Sequence, residues 1–121
     1  MKKILVIDDD EHLRSNLLDV LGFEGYEALG AENGRQGIQF AQEFQPDLII
    51  CDITMPLMDG FEVITTLCQN PQTSGIPIIL LSAHKDQASV QKGLRLGAVA
   101  HLPKPYNLSD LLTTVHTHVG E

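Results

Sequence analysis

The side chains able to do chemistry in this sequence are Asp8, Asp9 and Asp10 in one run, then Asp52, Ser82 and Lys104, each at the end of an apolar segment. Carboxylates brought close together repel one another, and each raises the pKa of the others. A hard divalent cation resolves that conflict. Mg²⁺ takes oxygen ligands in an octahedron, keeps several waters and bridges carboxylates to phosphate. Asp9 and Asp52 are candidate direct ligands, with Asp8 acting through water and the carbonyl of Thr54 adding an oxygen; Mn²⁺ suits the same donors. Asp52 is also a candidate nucleophile, because carboxylates form acyl phosphates. That chemistry needs positive charge on the transferring oxygens, which the cation and Lys104 would supply. Ser82 offers a hydroxyl donor, and the small Ala83 beside it leaves room for a phosphate. Asp10 and Glu11 suit the start of a helix, where negative charge is favoured.

The elements that must position these residues alternate in kind. Apolar runs at Ile4–Ile7, Leu48–Cys51 and Ile76–Leu81 are continuous, as in strands covered on both faces, and weaker strand signals span Tyr26–Leu29 and Ala98–Leu102. Helical stripes lie between them. Leu13, Leu17, Val20 and Leu21 form the first, with Gly22 as its expected end. Ile38, Ala41 and Phe44 form the second, before Pro46. Phe61, Ile64, Leu67 and Cys68 form the third, with Asp59 and Glu62 as a capping pair. Ala88, Val90 and Leu94 form a short fourth, and Leu108, Leu111, Leu112, Val115 and Val119 a fifth capped by Asn107. A strand–helix unit repeated five times predicts an α/β fold: a parallel sheet with helices on both faces and right-handed crossovers. Ligands of such sheets bind beyond the carboxyl ends of the strands, where the candidate residues sit.

The 121 residues suit one domain, and no apolar stretch reaches the length of a membrane span. Met1-Lys2-Lys3 runs straight into the first strand, so a cytoplasmic location is expected. The net charge of −8 disfavours nucleic acid and anionic membrane as partners and favours a cation. Cys51 and Cys68 have no metal-type or disulfide spacing and are expected to be buried thiols. His12, His116 and His118 form no metal cluster and are expected on the surface.

Ile4-Leu-Val-Ile-Asp-Asp9, the segment Asp47 to Gly60, Leu81-Ser-Ala83 and Lys104-Pro-Tyr106 together resemble the receiver domains of two-component response regulators over essentially the whole chain. The resemblance implies one receiver domain over 1–121 with a flavodoxin-like (βα)5 fold in strand order 2-1-3-4-5. It implies Mg²⁺ held by Asp8, Asp9, Asp52 and Thr54. It also implies phosphotransfer to Asp52 from a phosphohistidine on a histidine kinase or phosphotransfer protein. A cis Lys104–Pro105 bond is implied too, aiming the lysine into the site. Phosphorylation would draw Ser82 and Lys104 inward and repack the face of the fourth helix and fifth strand. That face would then address a downstream protein or an attached output domain. The implied role is a signalling switch rather than an enzyme. The resemblance also implies that Thr54 and His84, two residues after the acceptor and the switch hydroxyl, tune phosphoryl lifetime. The sequence departs from the family at His101, where Tyr or Phe is usual. An imidazole there either titrates as part of the switch or has no special task.

Two other readings compete. Asp8-Asp9-Asp10 contains the Asp-x-Asp of haloacid-dehalogenase-type phosphatases, with Asp8 as nucleophile and Asp10 as acid/base. A receiver-like docking module that is never phosphorylated is the other.

Overall fold

In the computed structural model, which describes residues 1–83 and 87–120, five strands pair in parallel: β1 (Lys3–Ile7), β2 (Glu27–Ala31), β3 (Leu48–Asp52), β4 (Ile78–Ser82) and β5 (Ala100–Pro103). Their order is β2-β1-β3-β4-β5, as expected. The helices are α1 (Glu11–Phe23), α2 (Gly34–Phe44), α3 (Gly60–Gln69), α4 (Gln87–Leu96) and α5 (Leu108–His118). Successive strand side chains point to opposite faces. Ile4, Val6, Leu48, Ile50, Ile79 and Leu81 therefore pack against Leu17 and Leu21 of α1 and Leu111 and Val115 of α5. Leu5, Ile7, Ile49, Cys51 and Leu80 pack instead against Ala41 of α2 and Val63, Ile64 and Leu67 of α3. Covering both faces is what makes the central strands read as unbroken apolar runs.

Several boundaries differ from expectation. The fourth strand starts at Ile78 rather than Ile76, since Pro77 has no N–H to give a ladder, although its carbonyl accepts from Ile49 N at 2.9 Å. The second strand lies further on than Tyr26–Leu29, because Gly30 weakens the apolar signal of an edge strand. The fifth begins at Ala100, not Ala98. Helix α1 passes through Gly22 to Phe23, and Gly25 takes the left-handed turn at φ 93°. Helix α3 carries the expected Asp59–Glu62 capping box, and Asn107 caps α5. Helix α4 buries Gly93 and leaves Ala88 and Leu94 exposed. Any Cβ at Gly93 would stand 2.6 Å from Leu80 Cδ1, so the helix lies on the sheet through its backbone.

Cys51 is buried as expected, and burial, then the charges of Asp52, Asp8 and Asp59, push its thiol pKa far up. Cys68 is exposed, contrary to expectation. Leu67 takes the inward position, and the Cys68 Sγ sits at the α3 edge, donating to Leu96 O at 3.6 Å. Among the other histidines, His12 and His116 are exposed and His118 is half-buried. His116 Nδ1 meets the Tyr26 hydroxyl at 2.7 Å.

Candidate functional site

Strand register brings the acidic residues together. Ile7 of β1 pairs with Cys51 of β3, so the next residues, Asp8 and Asp52, emerge side by side. On the other flank Asp52 pairs with Leu81 of β4, one residue before Ser82, and Ser82 pairs with Pro103 of β5. Lys104 N–H then donates to Ser82 O at 2.8 Å, which leads the lysine side chain back across the strand ends. Its Nζ lies 3.1 Å from Asp52 Oδ2 and 3.5 Å from Asp8 Oδ2. The Lys104–Pro105 bond is cis.

Asp8, Asp9 and Asp52 each offer a carboxylate oxygen within 4.8 Å of the others. Asp8 is 1% exposed and Asp52 6%, while Asp9 faces solvent. Burial raises the Asp52 pKa; the hydrogen bond and charge of Lys104 pull it back, the Asp8 charge raises it again, and the Thr54 backbone N–H lowers it. The balance stays above the usual carboxylate value. Burial lowers the Lys104 pKa, but Asp52 and Asp8 more than offset this and hold the ammonium above its ordinary value. Asp52 is raised chiefly by its burial, and Lys104 by the two carboxylates that its single ammonium serves. The site is short of positive charge, and its donors are all oxygen, which fits a hard divalent cation.

Asp10 does not join this cluster. Its Oδ1 accepts from His12 N at 3.0 Å and Leu13 N at 3.2 Å, capping α1. An Asp10 spent on the helix cap is not placed as the acid/base of a phosphatase centred on Asp8. Ser82 is buried, Ala83 and Thr54 are exposed at the rim, and His84 lies outside the described residues. His101 pairs with Leu80 in the ladder. Its neighbours Ala100 and Leu102 pack on the α1/α5 side, so it alternates toward α4.

Gly60 and Arg14 contribute to the site without having been singled out from the sequence. Gly60 N donates to Ile53 O at 2.7 Å, folding the loop after Asp52 back upon β3. A Cβ at Gly60 would lie 2.6 Å from Asp52 O and 2.8 Å from Ile53 Cα. Backbone cannot yield as a side-chain tip can, so Gly60→Ala is expected to cost about 1–3 kcal/mol. A denaturant titration showing no loss would contradict that packing. The available signal was a glycine following the cap residue Asp59. Arg14 Nη1 donates to Asp8 O at 2.8 Å, and its signal was a cation on the helix that follows an acidic run.

A family model described as "Response regulator receiver domain" matches residues 4–116. The chain is 34% identical over 116 residues to protein PilH of Pseudomonas aeruginosa, covering 96% of each. It is 36% identical over 115 residues to the transcriptional regulatory protein CpxR of Escherichia coli, covering 95% of this chain but 48% of that protein. The response regulator MprA of Mycolicibacterium vanbaalenii is likewise matched over 47% of its length, so the chain spans about half of several curated relatives. Among solved structures, chemotaxis protein CheY4 of Vibrio cholerae superposes with a TM-score of 0.93 at 34% identity, covering 98% of each chain.

Proposed function

The chain belongs to the response regulator receiver domain family, and from that premise we propose that residues 1–121 form a receiver whose Asp52 accepts a phosphoryl group. The observation that carries this reading is the Asp8–Asp9–Asp52 cluster with Lys104 Nζ 3.1 Å from Asp52. Asp8, Asp9, Asp52 and the Thr54 carbonyl would hold Mg²⁺, or Mn²⁺ in its place, and the bound ion would neutralise charge on the phosphoryl oxygens. In the transfer, an Asp52 carboxylate oxygen forms the new O–P bond as the P–N bond to a partner's phosphohistidine breaks, and the imidazole leaves with the electron pair. Lys104 turns its ammonium from the carboxylates to the phosphoryl oxygens, Ser82 donates its hydroxyl, and Ala83 leaves space. Thr54 and His84 set access of water to the acyl phosphate.

The new charge shifts the balance between two packings of the α4–β5–α5 face, where His101 takes the usual aromatic's place. The domain thus promotes only its own phosphorylation and dephosphorylation. Its partners are a histidine kinase or phosphotransfer protein and, on the output side, a downstream protein or an attached output domain. A groove of ≈ 570 Å³ between α1 and α5, lined by Leu13, Leu17, Val20, Tyr106 and Leu108, opens beside Lys104 and supports docking of a protein donor. None of the described helices is long and apolar enough to cross a membrane. With the net charge of −8, this supports a cytoplasmic setting with protein partners rather than nucleic acid or lipid.

Incubation with Mg²⁺ and acetyl phosphate is expected to add one acid-labile phosphoryl group, read by intact mass. Beryllofluoride is expected to shift amide resonances of β4, α4 and β5. A protein that neither gains the mass nor responds to beryllofluoride would be a docking module instead.

A further inference from the structure

The loop that carries Asp8 and Asp9 is held from several sides. Asp8 N donates to Ala31 O at 3.1 Å, which ties it to β2. Asp8 Oδ1 accepts from Asp10 N at 3.0 Å, within the loop itself. Arg14 Nη1 reaches the Asp8 carbonyl at 2.8 Å from α1. The Arg14 stem lies flat on Gly30 of β2, where a Cβ would come within 3.1 Å of Arg14 Cδ and 3.2 Å of Cγ. The aliphatic stem of the half-buried Arg14 therefore occupies the space left by the missing side chain of Gly30, and its guanidinium reaches the Asp8 carbonyl.

Resting on the reading above, we propose that Arg14 is a positioning residue of the cation site, holding the Asp8 backbone so that the Asp8 and Asp9 carboxylates stay directed at Asp52. The clamp matters most during transfer. Lys104 contacts both Asp8 and Asp52 in the resting site, and once its ammonium turns to the phosphoryl oxygens Asp8 loses that contact. Arg14 acts on the Asp8 carbonyl, not on its carboxylate, so its hold does not compete with the metal for ligand oxygens. Its charge by itself works the other way, because a fixed cation beside a divalent site repels the ion. Positioning and charge thus predict opposite signs.

Calorimetric titration of Mg²⁺ into the wild type, Arg14→Met, Arg14→Gln and Arg14→Lys separates them. Met and Gln are good helix formers and keep α1 intact, which melting curves in chelator verify. Both are expected to weaken Mg²⁺ binding about tenfold, as loss of a group that orients a metal ligand does. Lys keeps a donor group of nearly the same reach, which the shorter Gln does not, and is expected to recover part of the affinity. Unchanged binding in Met and Gln, with lower melting temperature alone, would reduce Arg14 to a structural contact and overturn the proposal; so would tighter binding. A wild type that binds no Mg²⁺ would remove the functional reading itself, a different failure from wild-type binding that Arg14 variants leave unaltered.

Discussion

Asp52→Asn is expected to abolish phosphorylation while leaving the fold intact. A carboxamide has nearly the same shape as the carboxylate it replaces in this pocket, where Asp52 is only 6% exposed. It lacks the anionic oxygen that forms the acyl phosphate. Lys104 keeps Asp8 as an ionic partner at 3.5 Å and can still donate to the amide oxygen. The variant should also lose most of its Mg²⁺ affinity, one of three clustered carboxylates being gone. A stability signature accompanies this. The folded-state pKa of Asp52 lies above its ordinary value, chiefly through burial. Ionising it therefore costs stability, a cost absent below the unfolded carboxylate pKa of about 4 and complete once pH exceeds the folded value. Cation-free Asp52→Asn should lack this descent, and denaturation across the acid range measures it. Acid-labile phosphate retained by the Asn variant would refute Asp52 as acceptor.

Lys104→Ala is expected to accept phosphate still, about 10²-fold more slowly, since one preorganised charge on the phosphoryl oxygens is lost. Its signalling response should be lost, because Lys104 would be the link between the strand end of β5 and the proposed acceptor Asp52, which it contacts at 3.1 Å. Without divalent cation the variant leaves Asp8 and Asp52 buried with no ammonium between them. Removing one partner of a fully buried pair costs about 3–5 kcal/mol; the Lys104 side chain is 20% exposed, so about 2 kcal/mol is expected. Excess Mg²⁺ should restore much of it. The sign with pH follows from the raised Lys104 pKa. Its stabilisation is whole below the ordinary lysine value near 10.4 and fades as pH climbs through the folded value. Wild type should show this alkaline loss and Lys104→Ala should not. A beryllofluoride-induced shift of α4, β5 and α5 resonances equal to wild type would take Lys104 out of the switch.

The parts of the fold legible from the chain were those written in short-range patterns. Unbroken apolar runs identified the central strands because α1 and α5 cover one face and α2, α3 and α4 the other. The edge strand β2 was placed too early, since one exposed flank and Gly30 dilute the pattern. Helix α4 was the least legible, its contact face being a glycine rather than a stripe of large side chains. Within the site, the acidic run, Asp52, Ser82 and Lys104 were readable from residue type and position at strand ends. Gly60 and Arg14 were not, because their importance lies in backbone atoms they approach, the Asp52 and Asp8 carbonyls.

Sequence alone determined the repeating strand–helix order, and with it that the acidic residues, the serine and the lysine all fall at one edge of a parallel sheet. Tertiary structure decided which of them meet. The pairing of Ile7 with Cys51 sets Asp8 beside Asp52, the α1 cap takes Asp10 away, and Lys104 closes on Asp8 across 96 residues of chain. The reason is physical: periodicity is a property of neighbours along one segment, whereas register and reach arise only when distant segments pack and their buried charges must find partners.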